Sequence, residues 1–101
     1  MLLRYTEPCQ MLMSIPQRTA LENFKAKHGI SYSFIVNQAL KRFFQNLPKT
    51  RPKPYVSKVN YKRTLVRLTT ENYAELQEYC QKNKTSMSAV AVYATMKYIE
   101  Q

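Results

Sequence analysis

Lys62-Arg63-Thr64-Leu65-Val66-Arg67-Leu68 alternates two kinds of side chain, with Thr64, Val66 and Leu68 on one side and Arg63, Leu65 and Arg67 on the other. That period of two is the mark of a half-buried β-strand, with the first set inward and the second outward. Thr69 or Thr70 can then cap a helix, Glu71 suits its positive first turn, and Tyr73, Leu76 and Tyr79 supply its buried stripe. Ser86 and Ser88 open a last helix. Its start, Met87 to Tyr93, is rich in β-branched residues and would tolerate a strand locally, but the continuation through Ala94-Thr95-Met96-Lys97-Tyr98-Ile99 favours helix.

The same order occurs earlier in the chain. Residues 9–46 align with 64–101 at a constant offset of 55 and without a gap. Only Leu21/Leu76, Lys27/Lys82, Ser31/Ser86, Ser33/Ser88 and Ala39/Ala94 are identical, but physical type persists in Met11/Val66, Met13/Leu68, Phe24/Tyr79, Ile35/Val90 and Phe43/Tyr98. Gln10-Met11-Leu12-Met13 is short and apolar enough for a strand, and Ser14-Ile15-Pro16-Gln17 reads as a capped helix start with proline in the first turn. This helix is expected to run to about His28, with Leu21 and Phe24 inward, and to end at Gly29, the one glycine of the chain. Ser31 and Ser33 supply caps for a second helix, whose Ile35, Val36, Ala39, Leu40, Phe43 and Phe44 recur at helical spacing until Pro48. Each copy has under 40 residues, too few to hold a core alone, so each half is the natural partner of the other.

With 101 residues and 45% apolar composition, the chain has room for a single domain, residues 1–101. The net charge of +10 points to a polyanionic partner. The charge is also regional: eleven Lys or Arg and no Asp or Glu lie between Asn23 and Thr70. Part of it falls in a Pro-, Lys- and Arg-rich linker at 48–61, which joins a first repeat at 5–47 to a second at 62–101. Cys9 and Cys80 are too few for a disulfide scaffold and lack metal-ligand spacing. With no long apolar span and no signal peptide, a reducing, cytoplasmic setting without a membrane is expected.

A short strand, a capped helix, a tight turn and a longer apolar helix resemble the ribbon-helix-helix family, the fold of the Arc and methionine repressors. In the second copy the resemblance rests on Arg63 to Leu68, on Leu76 and on the turn Thr85-Ser86-Met87-Ser88. In the first it rests on Met13, Leu21 and His28-Gly29-Ile30-Ser31-Tyr32-Ser33, and the two copies cover about three quarters of the chain. Arg18 departs from the pattern, standing where the second copy has the apolar Tyr73. The resemblance implies a mainly α fold with a two-stranded antiparallel β-ribbon, in which two ribbon-helix-helix repeats form one intramolecular pseudo-dimer. Tandem members of the family occur among conjugative-plasmid relaxosome accessory proteins.

It also implies duplex DNA as the partner, no cofactor, and base reading by the outward residues Gln10, Leu12, Arg63, Leu65 and Arg67. Arginine can pair with guanine O6 and N7, glutamine suits adenine, and leucine suits a thymine methyl. Phosphate anchoring falls to the starts of the second helices, at Ser31, Ser33, Ser86 and Ser88, with Lys53, Lys58 and Lys62 adding attraction that is independent of sequence. Two molecules side by side can self-associate on a repeated site. Duller readings compete with each of these: a solvated arginine face, ordinary serine caps, a soluble tether, aromatic side chains that serve only the core, and His28 as a helix-end residue.

One histidine, no paired carboxylates and no glycine-rich phosphate loop give an enzyme nothing to build on. The reading is therefore a sequence-specific transcriptional repressor, and a relaxosome or other mobile-element accessory protein is the alternative. A single-stranded nucleic-acid binder using Tyr5, Tyr55 and Tyr61 is a further rival, and an antitoxin-like role lacks an extra tail beyond the last helix.

Overall fold

The two strand segments expected from the sequence pair as a single antiparallel ladder. A computed structural model describes residues 5–47 and 61–100. Its elements run β1 (Glu7–Ser14), α1 (Ile15–His28), α2 (Tyr32–Gln45), β2 (Tyr61–Leu68), α3 (Thr70–Asn83) and α4 (Met87–Ile99). The described chain is thus mainly helical, with one two-stranded antiparallel sheet. β2 starts at Tyr61, one residue before the expected start of the second repeat, because Ser14 still offers it a ladder partner. The rest of the linker, with Lys53 and Lys58, lies outside the described residues.

Gln10 pairs with Leu65, Leu12 with Arg63 and Pro8 with Arg67. Side chains alternate across a strand, so this register sends Cys9, Met11 and Met13 to the same side as Thr64, Val66 and Leu68, and all six are buried. The four helices cover that inner face. α2 and α4 pack on each other, α4 against β1 and α2 against β2, while α1 contacts α4 and α3 contacts α2. The two halves are therefore interlocked rather than side by side. Aromatic contacts cross in the same way, Phe24 to Tyr98 at 5.9 Å and Phe43 to Tyr79 at 5.2 Å between ring centroids. Edge-on geometry of this kind adds about 0.5–1.5 kcal/mol per pair beyond the area buried.

Local chemistry sets each helix boundary. Ser14 and Gln17 form a full capping box at α1, the Gln17 N–H donating to Ser14 Oγ at 3.3 Å and the Ser14 N–H to Gln17 Oε1 at 3.0 Å. Thr69, not Thr70, caps α3 by accepting from the Asn72 N–H at 3.1 Å. Ser31 and Ser86 cap α2 and α4. Ser33 and Ser88 do not act as caps, because they lie within the first helical turn and their oxygens are used elsewhere. The segment opening α4 is helical despite its β-branched residues, since Val90, Ala91, Val92, Ala94 and Thr95 bury themselves at helical spacing.

Gly29 and Lys84, again 55 apart, end α1 and α3 in the left-handed conformation, with φ of 62° and 51°. Glycine adopts it freely, whereas an L side chain such as that of Lys84 is held there at a cost of about 1–2 kcal/mol. Lys84→Gly is expected to raise stability by about 0.5–1 kcal/mol, and Gly29→Ala to lower it by at least as much, as read by urea denaturation.

Asn37 carries the main buried polar network. Its Nδ2 donates to the Ser33 carbonyl at 2.7 Å and to the Arg67 carbonyl at 3.0 Å. Its Oδ1 accepts from the Thr69 N–H at 2.9 Å and from Asn72 Nδ2 at 2.8 Å. One amide thereby joins α2, the end of β2 and the start of α3. Asn37→Ala leaves several of these groups without partners, each worth about 1–3 kcal/mol when buried, and is expected to destabilise the fold by about 3 kcal/mol in the same assay.

Candidate nucleic-acid interface

The outer face of the ribbon presents Pro8, Gln10 and Leu12 from β1 beside Arg67, Leu65 and Arg63 from β2, all six exposed. All five residues expected to read bases share this face. Leu12 and Leu65 are 44% and 56% exposed, which makes them two of the four large apolar side chains left in water among the described residues. Among the described residues Arg63 and Arg67 enter no ion pair, the two pairs found there being Arg18 with Glu22 on α1 and Lys82 with Glu78 on α3. Arg67 Nη1 makes only a long contact, 3.5 Å to the Thr6 carbonyl. Two guanidinium groups and one carboxamide thus share the outer face of the two-stranded ribbon, with apolar side chains between them.

Ser33 and Ser88 serve the edges of this platform. A two-stranded ribbon leaves outward N–H groups unpaired along both edges. The Arg67 N–H donates to Ser33 Oγ at 3.1 Å, and the Leu12 N–H donates to Ser88 Oγ at 2.9 Å. Each serine belongs to the half opposite in sequence to the strand it binds. These bonds hold the N-termini of α2 and α4 against the two flanks of the ribbon, where first-turn N–H groups and the helix dipole favour an anion. Ser31 and Ser86 are exposed at those same termini, and Lys62 is exposed on β2. Ser33 and Ser88 are half-buried, and each hydroxyl keeps a proton to donate.

The departure at Arg18 has a structural use that its sequence position does not reveal. Its side chain crosses from α1 to donate to the buried Thr64 hydroxyl on β2 and to Tyr32 Oη at 3.4 Å, with the guanidinium 4.8 Å over the Tyr32 ring. Its guanidinium, also paired with Glu22 at 3.0 Å, thereby links α1 to β2 and to Tyr32 of α2. His28 stacks against Phe24, with centroids 4.3 Å apart, at the end of α1. No cluster of three or more potential metal-ligating side chains occurs among the described residues, and no described helix is long and apolar enough to cross a membrane.

Comparison with known proteins finds no matching family model, no matching curated protein and no matching solved structure.

Cys9 and Cys80 are free and buried. Burial, reinforced by the charge of Cys80, pushes the Cys9 thiol up to about 11, and burial raises Cys80 as well. The thiolate is the reactive form, so both cysteines are expected to resist alkylation at pH 8 until the protein unfolds. The folded state also holds the Cys9 proton more tightly than the unfolded chain does. That contribution to stability is complete below pH 9 and lost as pH rises toward about 11, which denaturation at stepped pH measures.

Proposed function

We propose that this chain is a sequence-specific duplex DNA-binding protein of the ribbon-helix-helix kind, in which two unequal repeats form an intramolecular pseudo-dimer. The register is the observation that carries the reading. At an offset of 55, Gln10 pairs with its own counterpart Leu65, while Pro8–Arg67 and Leu12–Arg63 are the same pair taken from opposite ends. Ser33 and Ser88 exchange equivalent bonds, as do Phe24–Tyr98 and Tyr79–Phe43. Such reciprocity supports a pseudo-twofold axis through the centre of the ribbon.

A major groove about 12 Å wide admits a two-stranded ribbon and offers each base pair a distinct pattern of donors and acceptors. Gln10, Leu12, Arg63, Leu65 and Arg67 would read bases. The N-termini of α2 and α4, with Ser31, Ser33, Ser86 and Ser88, would meet the flanking phosphates, and Lys53, Lys58 and Lys62 would add attraction without sequence preference. A transcriptional repressor in a reducing cytoplasm is the role this interface fits, and the two protonated, buried thiols suit that compartment. A relaxosome or other mobile-element accessory role uses the same ribbon in the same groove. For a single-strand binder, Tyr5 is half-buried, and the side chains of Tyr55 and Tyr61 fall outside the described residues.

Salt titration tests the electrostatic half of this reading. If about four to six phosphates are neutralised, log affinity for a duplex should fall against log salt with a slope of roughly −4 to −5, and a flat dependence would refute the interface. Arg67→Ala should cost about 1–3 kcal/mol on a preferred duplex and relax choice at one base pair, whereas Lys53→Ala should weaken all duplexes alike.

A further inference from the structure

The ribbon is symmetric in its backbone and one-sided in its chemistry. Both guanidinium groups come from β2, at Arg63 and Arg67, four residues apart and so on the same face. Their cross-strand partners, Leu12 and Pro8, carry no hydrogen-bonding group in their side chains. Only the middle of the face is different. There Gln10 on β1 brings a carboxamide beside the exposed Leu65 of β2.

From this arrangement we infer the order and strand of the bases the protein prefers, a deepening that rests on the function proposed above. The recognised core is directional: two guanines on one DNA strand, about four base pairs apart, flank a central thymine on that strand whose adenine partner lies on the other. The spacing follows from two repeats of nearly equal length. A strand advances about 3.3–3.4 Å per residue, and stacked base pairs advance about 3.4 Å. Arg63 and Arg67 each lie two residues from Leu65, and each therefore reaches about two base pairs from the centre.

Chemistry fixes the identities. A guanidinium fork matches guanine O6 and N7, and β2 supplies both forks to the side of the groove it faces. At the centre the two sides of one A·T pair are met by the two residues of one cross-strand pair. The Gln10 carboxamide both donates and accepts, as adenine N7 and N6 require, while Leu65 fills the space at the thymine methyl. Neither an inverted repeat nor a core with one guanine on each strand meets both arginines, because β1 has no outward cation.

The test is selection from a library of duplexes with a randomised centre, run with the full chain and with Arg63→Ala, Arg67→Ala and Gln10→Ala. All three residues are exposed, and matched thermal melting would verify that the variants fold. The wild-type preference should read guanine, any base, thymine, any base, guanine along one strand. Each arginine variant should lose the preference at one guanine and keep the other, a change of about 5- to 150-fold at that position, and Gln10→Ala should flatten only the centre. Two guanines on opposite strands, a palindromic preference, or an unchanged matrix for Arg63→Ala would overturn the inference while leaving duplex recognition in place. Salt-dependent duplex binding with no base preference overturns it as well, and failure to bind any duplex overturns both it and the function on which it rests.

Discussion

Everything on the outer surface depends on β1 and β2 pairing with Gln10 opposite Leu65. In a strand, a slip of one residue turns every side chain to the other face. Slipping β2 alone would bury Arg63 and Arg67 in the core and carry Val66 and Leu68 into water, at roughly 1.5–3 kcal/mol for each large apolar side chain exposed, before the cost of desolvating two guanidinium groups. The core therefore specifies the ribbon. Met11, Met13, Val66 and Leu68 are almost completely enclosed, and a one-residue slip would no longer enclose them together. Ser33 and Ser88 reinforce the choice from the edges, because each accepts from one particular N–H and would meet a carbonyl or a bare edge after a slip.

Within this near-symmetric framework the two halves use different internal chemistry. Asn37 ties α2 to the end of β2 and the start of α3 through three side-chain hydrogen bonds, whereas its counterpart Val92 is simply buried. Arg18 reaches Thr64 and Tyr32, whereas its counterpart Tyr73 packs against the core. A chain that must pair with an identical copy has to satisfy each such position twice. Here each polar group meets its partners once, and the equivalent position in the other half is filled by Val92 or Tyr73 instead. The two halves therefore differ inside although their elements follow the same order.

Where the sequence was legible, the cause was local. Alternation at Arg63 to Leu68, the Ser14–Gln17 capping box, Pro16 in a first turn and Gly29 in a left-handed cap all act within a few residues, so their spacing announces them. The outward set on the ribbon was legible for the same reason, since parity along a strand decides it. Long-range partnerships were not. Ser33 and Ser88 read as helix caps because serines near a helix start usually are, and only the fold brings a strand edge to them. Asn37 is one of several polar residues in α2 and nothing in its spacing marks it, while Arg18 reads as a defect in a stripe. Lys84 carries no sign of its left-handed backbone, which the turn imposes on it.

That β1 and β2 belong to one polypeptide changes how the assembly responds to dilution. Strands on separate molecules meet at a rate set by how many copies are present, and at nanomolar levels a weak pair spends much of its time apart. Tethered ends instead experience a local concentration in the millimolar range, whatever the abundance of the protein. The platform carrying Arg63 and Arg67 therefore forms within one chain, by a first-order process whose rate does not depend on how many copies are present.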